Sequence, residues 1–228
     1  MGFEYLTNVP LAQARKEYLE RLVSGGFGSK TETIPVFESC GRVTAKAVYA
    51  HICAPHYAAS AMDGVAVSAK ETFGATETTP VTLKPDQFFV LDTGDPIPED
   101  KDAVIMVEDI VKNGDGSITI HAAAAPWQHI RQIGEDICAG EMILPSHMTV
   151  SPAAIGAMIA GGVLEIEVIR KPVVGIIPTG DEIIPPCTDP KPGDILEFNG
   201  SIFSAMVRSW GAEAVVYPIV PDKFDQIK

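Results

Sequence analysis

The sequence predicts a mixed α and β protein: an opening helix, a β-rich region, and then a single β-α-β unit. Three observations carry this expectation. Apolar residues recur at helical spacing between Pro10 and Val23. From Thr33 to about Met148 the chain consists of short β-like runs punctuated by turn residues. After Lys171-Pro172, two apolar runs flank one helix-like segment.

The opening helix, over residues 10–24, rests on Leu11, Ala14, Tyr18, Leu19 and Leu22, with Gly25-Gly26 as its stop. The β-like runs that follow span 33–37, 43–49, 64–67, 79–83, 87–91, 103–107 and 117–120. Asn113-Gly114-Asp115-Gly116 is expected to be the turn of a hairpin between the last two. Ser151 fits a helix N-cap and Pro152 a first helical position, so a short helix is expected to Ala160, closed by Gly161-Gly162 and followed by a strand to Ile169. Beyond Pro172, runs at 173–177 and 214–220 around a helix at 201–210 predict a parallel pair with a right-handed crossover. The expected organisation is a first region, 1–170, with a β-rich insert over about 50–148 and a linker helix and strand at 151–169. An incomplete α/β domain over 171–228 follows. Two strands do not make a stable parallel sheet, and Lys228 falls where the next helix should begin, so the chain is expected to be a fragment, or a truncated relative, of a longer protein.

A net charge of -13 supplies no basic patch, which argues against nucleic acid and against an anionic membrane surface. The same field repels anionic ligands, so any phosphate or oxyanion site needs backbone amides, lysines or a divalent cation. Four cysteines without a CxxC pair, and no basic-then-apolar signal pattern at the N-terminus, fit a reducing cytoplasm. The longest apolar stretch, Ala153 to Ile169, is broken by Gly161, Gly162, Glu165 and Glu167, so no membrane span is expected.

Open parallel sheets bind ligands outside the carboxyl ends of their strands. The two runs lead there into Pro178-Thr179-Gly180-Asp181-Glu182 and Pro221-Asp222, so Glu182 and Asp222 are expected to lie near each other. Oxygen ligands at such an edge suit Mg²⁺; the plainer reading makes both acids solvated caps of turns. Thr93-Gly94-Asp95 could admit an oxyanion through the glycine and the threonine hydroxyl, and is otherwise a good turn. Asp63-Gly64 reads first as tight-turn chemistry, and Gly134-Glu135-Asp136-Ile137 as an exposed acidic turn. His51, Cys53 and His56 lack the second ligand pair of a closed zinc site and default to a partly buried strand end. Hydrolase, Walker and dinucleotide signatures are not present.

Four of these signals stand in the order of one family. Ser60-Ala61-Met62-Asp63-Gly64-Val65-Ala66-Val67 resembles the SAMDG(Y/I)A signature of molybdopterin molybdenumtransferases, the MoeA and gephyrin E-domain type. Thr93-Gly94-Asp95-Pro96-Ile97-Pro98 with Asp102-Ala103-Val104-Ile105-Met106 is similar to their TGAPVP…DAVV(M) segment, and Ile130 to Ile137 to their (V)R..GEDI run. Thr179-Gly180-Asp181-Glu182, with Ile195 and Asn199, resembles the TGDEL…G.I.(D)xN opening of the pterin-binding domain.

The resemblance implies MoeA-type β-rich N-terminal domains followed by the start of an α/β pterin-binding domain, in a cytoplasmic homodimer. The implied reaction is the insertion of molybdate into adenylylated molybdopterin with release of AMP, helped by Mg²⁺. By the same resemblance Asp63, Asp136 and Glu182 are catalytic, and Thr93, Thr179, Gly180, Asp181 and Asn199 bind the pterin ligand. Glu182 and Asp222 hold the metal. The family's glycine-rich SGG(V/T)S.G loop, its PGKP segment and its C-terminal β domain do not occur in these residues; Ala59 stands where many relatives have asparagine, and Val65 where they have an aromatic residue or isoleucine. Two other classes stay open: a dimerisation or scaffold module of the same family without catalysis, and an unrelated small-molecule binding domain with a cation in its acidic loops.

Overall fold

The computed structural model describes residues 8–28, 30–223 and 225. The fold mixes helices and short strands, and the chain divides into two compact units.

The unit formed by Ala47–Pro145 and Pro152–Leu164 is built on two three-stranded antiparallel sheets. In the first, Gly64–Val67 lies between Phe88–Leu91 and Ala103–Met106. All four central residues are buried, because side chains alternate between two apolar clusters. Val65, Val67, Ala103 and Ile105 face one cluster, and Ala66, Val104 and Leu91 face the other. The second sheet centres on Ile118–Ile120, flanked by Val81–Leu83 and Ile110–Lys112. Its Leu83, Ile118 and Ile120 complete the first cluster, so the two sheets bury one apolar layer between them. Asp102 Oδ1 accepts the Ala69 N–H at 2.6 Å at the start of the short helix Ala69–Thr72. The buried Thr72 hydroxyl accepts the Ala124 N–H at 2.9 Å. The helix Pro152–Ala160 begins on its proline, as expected.

One hairpin differs from the sequence expectation. The turn at Asn113–Gly116 joins Ile118–Ile120 to Ile110–Lys112, not to the run at 103–107, which pairs with Gly64–Val67. A 3₁₀ turn at Val107–Asp109 separates the two segments, and Ile110-Val111-Lys112 is too short to show a period of its own. The run at 43–49 likewise keeps only Val48–Tyr49 as strand, while Val43 and Thr44 make isolated bridges to Thr149 and Val168.

The other unit contains the described residues up to Lys46, Ser146–Ser151, and the chain from Glu165 on. Thr31–Pro35 pairs antiparallel with Glu165–Ile169. Ile166 and Val168 are buried between exposed or half-buried neighbours, the period-two pattern of a strand with one inward face. The opening helix, Leu11–Ser24, forms as expected and buries none of its residues. Val173–Ile176 and Glu213–Val216 form the predicted parallel pair, joined through the helix Asn199–Ser209. That helix buries Gly200, Ser204 and Val207, one stripe at helical spacing. A second parallel pair, Ile183–Ile184 with Ile195–Leu196, sits in the connection.

Candidate functional site

Three of the four motif segments converge on one short strand. Ala59–Ser60 pairs antiparallel with Ile130–Arg131 on one side, and Ala59 bridges Pro96 on the other. Ser60 N–H donates to the Asp95 carbonyl and Gly94 N–H to the Ser60 carbonyl, each at 2.9 Å. The fully buried Ser60 hydroxyl donates to the Met62 carbonyl, which folds the chain towards Asp63. The segments beginning at 60, 93 and 130 are thus tied into one cluster by backbone bonds.

Asp63 is exposed, yet its carboxylate is committed. Oδ1 accepts the Thr93 N–H at 2.7 Å and the Thr93 hydroxyl at 2.8 Å. These two donors, the backbone amide first, hold the Asp63 carboxyl below its ordinary value of 3.8. In this structure the Thr93 hydroxyl donates its hydrogen bond to Asp63, and its oxygen keeps acceptor lone pairs. Asp95 Oδ2 accepts the Asp92 N–H, and the Tyr57 hydroxyl donates to the Gly94 carbonyl, both at 2.9 Å. Gly94 has φ +92°, which fixes a glycine at the apex.

Gly64 serves a different purpose from the expected turn. A Cβ there would lie 2.0 Å from the Ile105 carbonyl oxygen, so glycine allows the neighbouring strand to approach. Asp63 lines a cleft together with Val65, Phe88, Leu91, Asp92, Lys112 and Ile118.

Arg131 reaches Asp136 Oδ2 at 2.6 Å and Glu135 Oε1 at 3.5 Å, which raises the guanidinium's affinity for its proton, chiefly through Asp136. Asp136 is thus an ion-pair partner across the four-residue loop Gln132–Glu135, and its N–H donates to the Ala54 carbonyl at 2.9 Å. Trp127 and His129 adopt left-handed backbone at φ 66° and 57°, uncommon for residues with a Cβ and a feature that sequence reasoning missed. The His129 carbonyl accepts the Ala61 N–H at 2.9 Å, so this strained segment supports the Asp63 loop.

The fourth motif lies in the other unit. Thr179 bridges Val220 in parallel, and Gly180 N–H donates to the Val220 carbonyl at 3.1 Å. Gly180 is buried at φ 149°, and a Cβ would meet Ile183 at 2.9 Å. Asp222 N–H donates to Asp181 Oδ1 at 3.2 Å, while the exposed Glu182 engages Ile195 N–H through its carbonyl at 2.9 Å. The bond from the Asp222 segment therefore goes to Asp181. Asp181 and Glu197 line one cleft of about 590 Å³ with Tyr217 and a run of prolines. Sequence reasoning missed Glu197, whose Oε1 accepts the Gly200 N–H at 2.6 Å at the start of the helix carrying Asn199. An acid three residues before a helical N–H was the available signal. Asn199 itself is exposed at the first helical position. Among the described residues, no three His, Cys, Asp or Glu side chains group as a metal site, and no helix is long and apolar enough to cross a membrane.

A family model describing the MoeA N-terminal region, domains I and II, matches residues 9–162. Molybdopterin molybdenumtransferase 2 of Mycobacterium tuberculosis is 35% identical over 210 residues, covering 85% of this chain and 52% of its own length. A molybdopterin molybdenumtransferase of Haemophilus influenzae is 31% identical over 224 residues, covering 93% and 54%. A molybdopterin biosynthesis MoeA protein from Pyrococcus horikosii superposes with a TM-score of 0.80 at 29% identity, over 97% of this chain and 59% of that one. The chain spans about half the length of the curated relatives it matches.

Proposed function

The chain belongs to the MoeA N-terminal family, and from that premise we propose that it works in molybdenum cofactor biosynthesis, as part of a molybdopterin molybdenumtransferase that inserts molybdate into adenylylated molybdopterin and releases AMP. The observation that carries this reading is the convergence of the 60–64, 93–98 and 130–137 segments on Ala59–Ser60, with Asp63 fastened to Thr93. The cluster also carries the Arg131 guanidinium, a positive charge of the kind an anionic ligand needs in a chain of net charge -13.

In this proposal Asp63 orders the Thr93-Gly94 turn, and Asp136 sets the Arg131 guanidinium beside it. Gly180 brings the Thr179–Glu182 backbone close to the pterin ligand, with Asn199 at the following helix start. The region 1–170 is the MoeA-like part and 171–228 the start of the pterin-binding domain. Mg²⁺ is consistent with the hard oxygen donors Glu182 and Asp222, because this ion keeps several waters and takes only one or two protein carboxylates along with substrate phosphate. Once bound it would neutralise charge on the phosphate that leaves with AMP. A cytoplasmic homodimer completes the reading.

The test is Mg²⁺- and molybdate-dependent AMP release, comparing this chain with a version extended to the length of its relatives. Loss of release with Asp63→Ala or Glu182→Ala in the extended protein supports the assignment, and unchanged release with both refutes it. No release from the extended wild type, with self-association intact, would favour a non-catalytic dimerisation module.

A further inference from the structure

Sequence proximity groups Cys53 with His51 and His56, but the structure gives it a different partner. Ala54 N–H donates to the Ile137 carbonyl at 2.8 Å and Ile137 N–H to the Ala54 carbonyl at 3.0 Å, which makes these two residues a hydrogen-bonded antiparallel pair. The next residues outward, Cys53 and Cys138, therefore take the place of a non-hydrogen-bonded pair, at which the Cα atoms of an antiparallel ladder typically stand about 4.5 Å apart. That separation is at the near end of the ~4.4–6.8 Å that a disulfide spans. The sulfurs converge as well. A Cβ built at Gly134 would lie 3.0 Å from Cys138 Sγ and 3.5 Å from Cys53 Sγ, so both occupy the space under that glycine. Ala139 N–H donates to Cys53 Sγ at 3.3 Å, and the Cys138 thiol donates to the Gly134 carbonyl at 3.4 Å. Both thiols are free; Cys138 is exposed and Cys53 half-buried.

We propose that Cys53 and Cys138 form a reversible dithiol site that is oxidised to an intramolecular disulfide by exchange with a small-molecule disulfide. The exposed Cys138, as thiolate, attacks one sulfur of the small disulfide, forming a mixed disulfide and expelling one thiolate. Cys53 loses its proton to solvent and attacks Cys138 Sγ, expelling the second. Two protein thiols are oxidised, one small disulfide is reduced to two thiols, and the protons released from the cysteines end on those thiols. The bridge would tie the segment at Cys53–Pro55 covalently to that at Asp136–Cys138, where the Gly134 and Asp136 amides already bond to Pro55 and Ala54. The loop that presents Asp136 to Arg131 is the one so pinned.

The test incubates the folded chain with oxidised glutathione, alkylates the remaining thiols under acid quench, and maps the peptides. The expected result is loss of two of the four thiols, no retained glutathione at those positions, and a peptide linking Cys53 to Cys138 that dithiothreitol releases. A Cys40→Ser/Cys187→Ser variant should behave identically, whereas Cys53→Ser should leave glutathione on Cys138. Separate mixed disulfides at Cys53 and Cys138 in the wild type, or a link that forms only in urea, would overturn the proposal. The wild-type map decides without reliance on any variant.

Discussion

Gly64→Ala is expected to destabilise the sheet whose central strand begins directly after Asp63. The added Cβ would sit 2.0 Å from the Ile105 carbonyl oxygen, 3.0 Å from its carbon and 3.1 Å from Met106 Cα. All three are backbone atoms, so no side-chain rotation relieves the overlap. A carbon–oxygen contact needs about 3.3 Å, so the two strands must part locally by more than ~1 Å. Ladder bonds of ordinary length would then exceed the hydrogen-bonding range. Loss of about two such bonds at ~0.5–1.5 kcal/mol each, with ~1–3 kcal/mol of misfit in the buried Val65 and Ala66 layers, gives a cost of about 2–6 kcal/mol, centred near ~4 kcal/mol. At a urea slope of ~2 kcal/mol/M the midpoint should fall by about 2 M. Trp127 lies in the same unit as Gly64 and Trp210 in the other, so the fluorescence of a Trp210→Phe background reports on the right one. Two controls calibrate the size. Gly94→Ala meets no atom within 4 Å but must hold φ +92°, and should cost about 1–2 kcal/mol. Gly156→Ala, in the helix Pro152–Ala160 with open space around it, should stabilise by about 0.5–1 kcal/mol. If Gly64→Ala lies within ~1 kcal/mol of Gly94→Ala, the close-approach explanation is wrong.

The Asp63–Thr93 contact sets a pH dependence. A carboxyl held below its ordinary value contributes stability that is complete above pH 3.8 and is lost as pH falls through the lower folded value. The Thr93 amide proton shift should follow that titration in the wild type and lose it in Asp63→Asn. Ile120→Ala empties a site that is 0% exposed between the two sheets and should cost about 2–5 kcal/mol, against about 0.5–1.5 kcal/mol for Ile120→Val, read from urea midpoints. Glu197→Ala removes the acceptor for Gly200 N–H and should cost about 1 kcal/mol, visible as earlier loss of the Trp210 signal.

The carboxylates differ in what they are free to do. Asp63 and Asp136 each engage one carboxylate oxygen, with Thr93 and with Arg131, which makes them supports for a loop and a cation. Asp181 accepts an amide from Asp222, whereas Glu182 stands exposed with its carbonyl, not its carboxylate, engaged by Ile195.

Local periodicity was enough to read much of this protein from its residues alone: the helix at Leu11–Ser24, the strands at Gly64–Val67 and Ala103–Met106, the helix opening at Pro152 and the parallel pair after Pro172. The four motif segments, each informative only in company, were legible as one family because their order is written in the chain. What needed tertiary structure was every pairing across distance. Thr31–Pro35 meets Glu165–Ile169, Ala59–Ser60 gathers loops from either side, and Cys53 faces Cys138. Alternation of side chains specifies which face a strand buries but not which strand lies beside it, since that choice depends on how apolar layers from remote segments fill one core. The same distinction explains Gly64, whose neighbour in sequence suggests a turn and whose neighbour in space, the Ile105 carbonyl, demands a missing side chain.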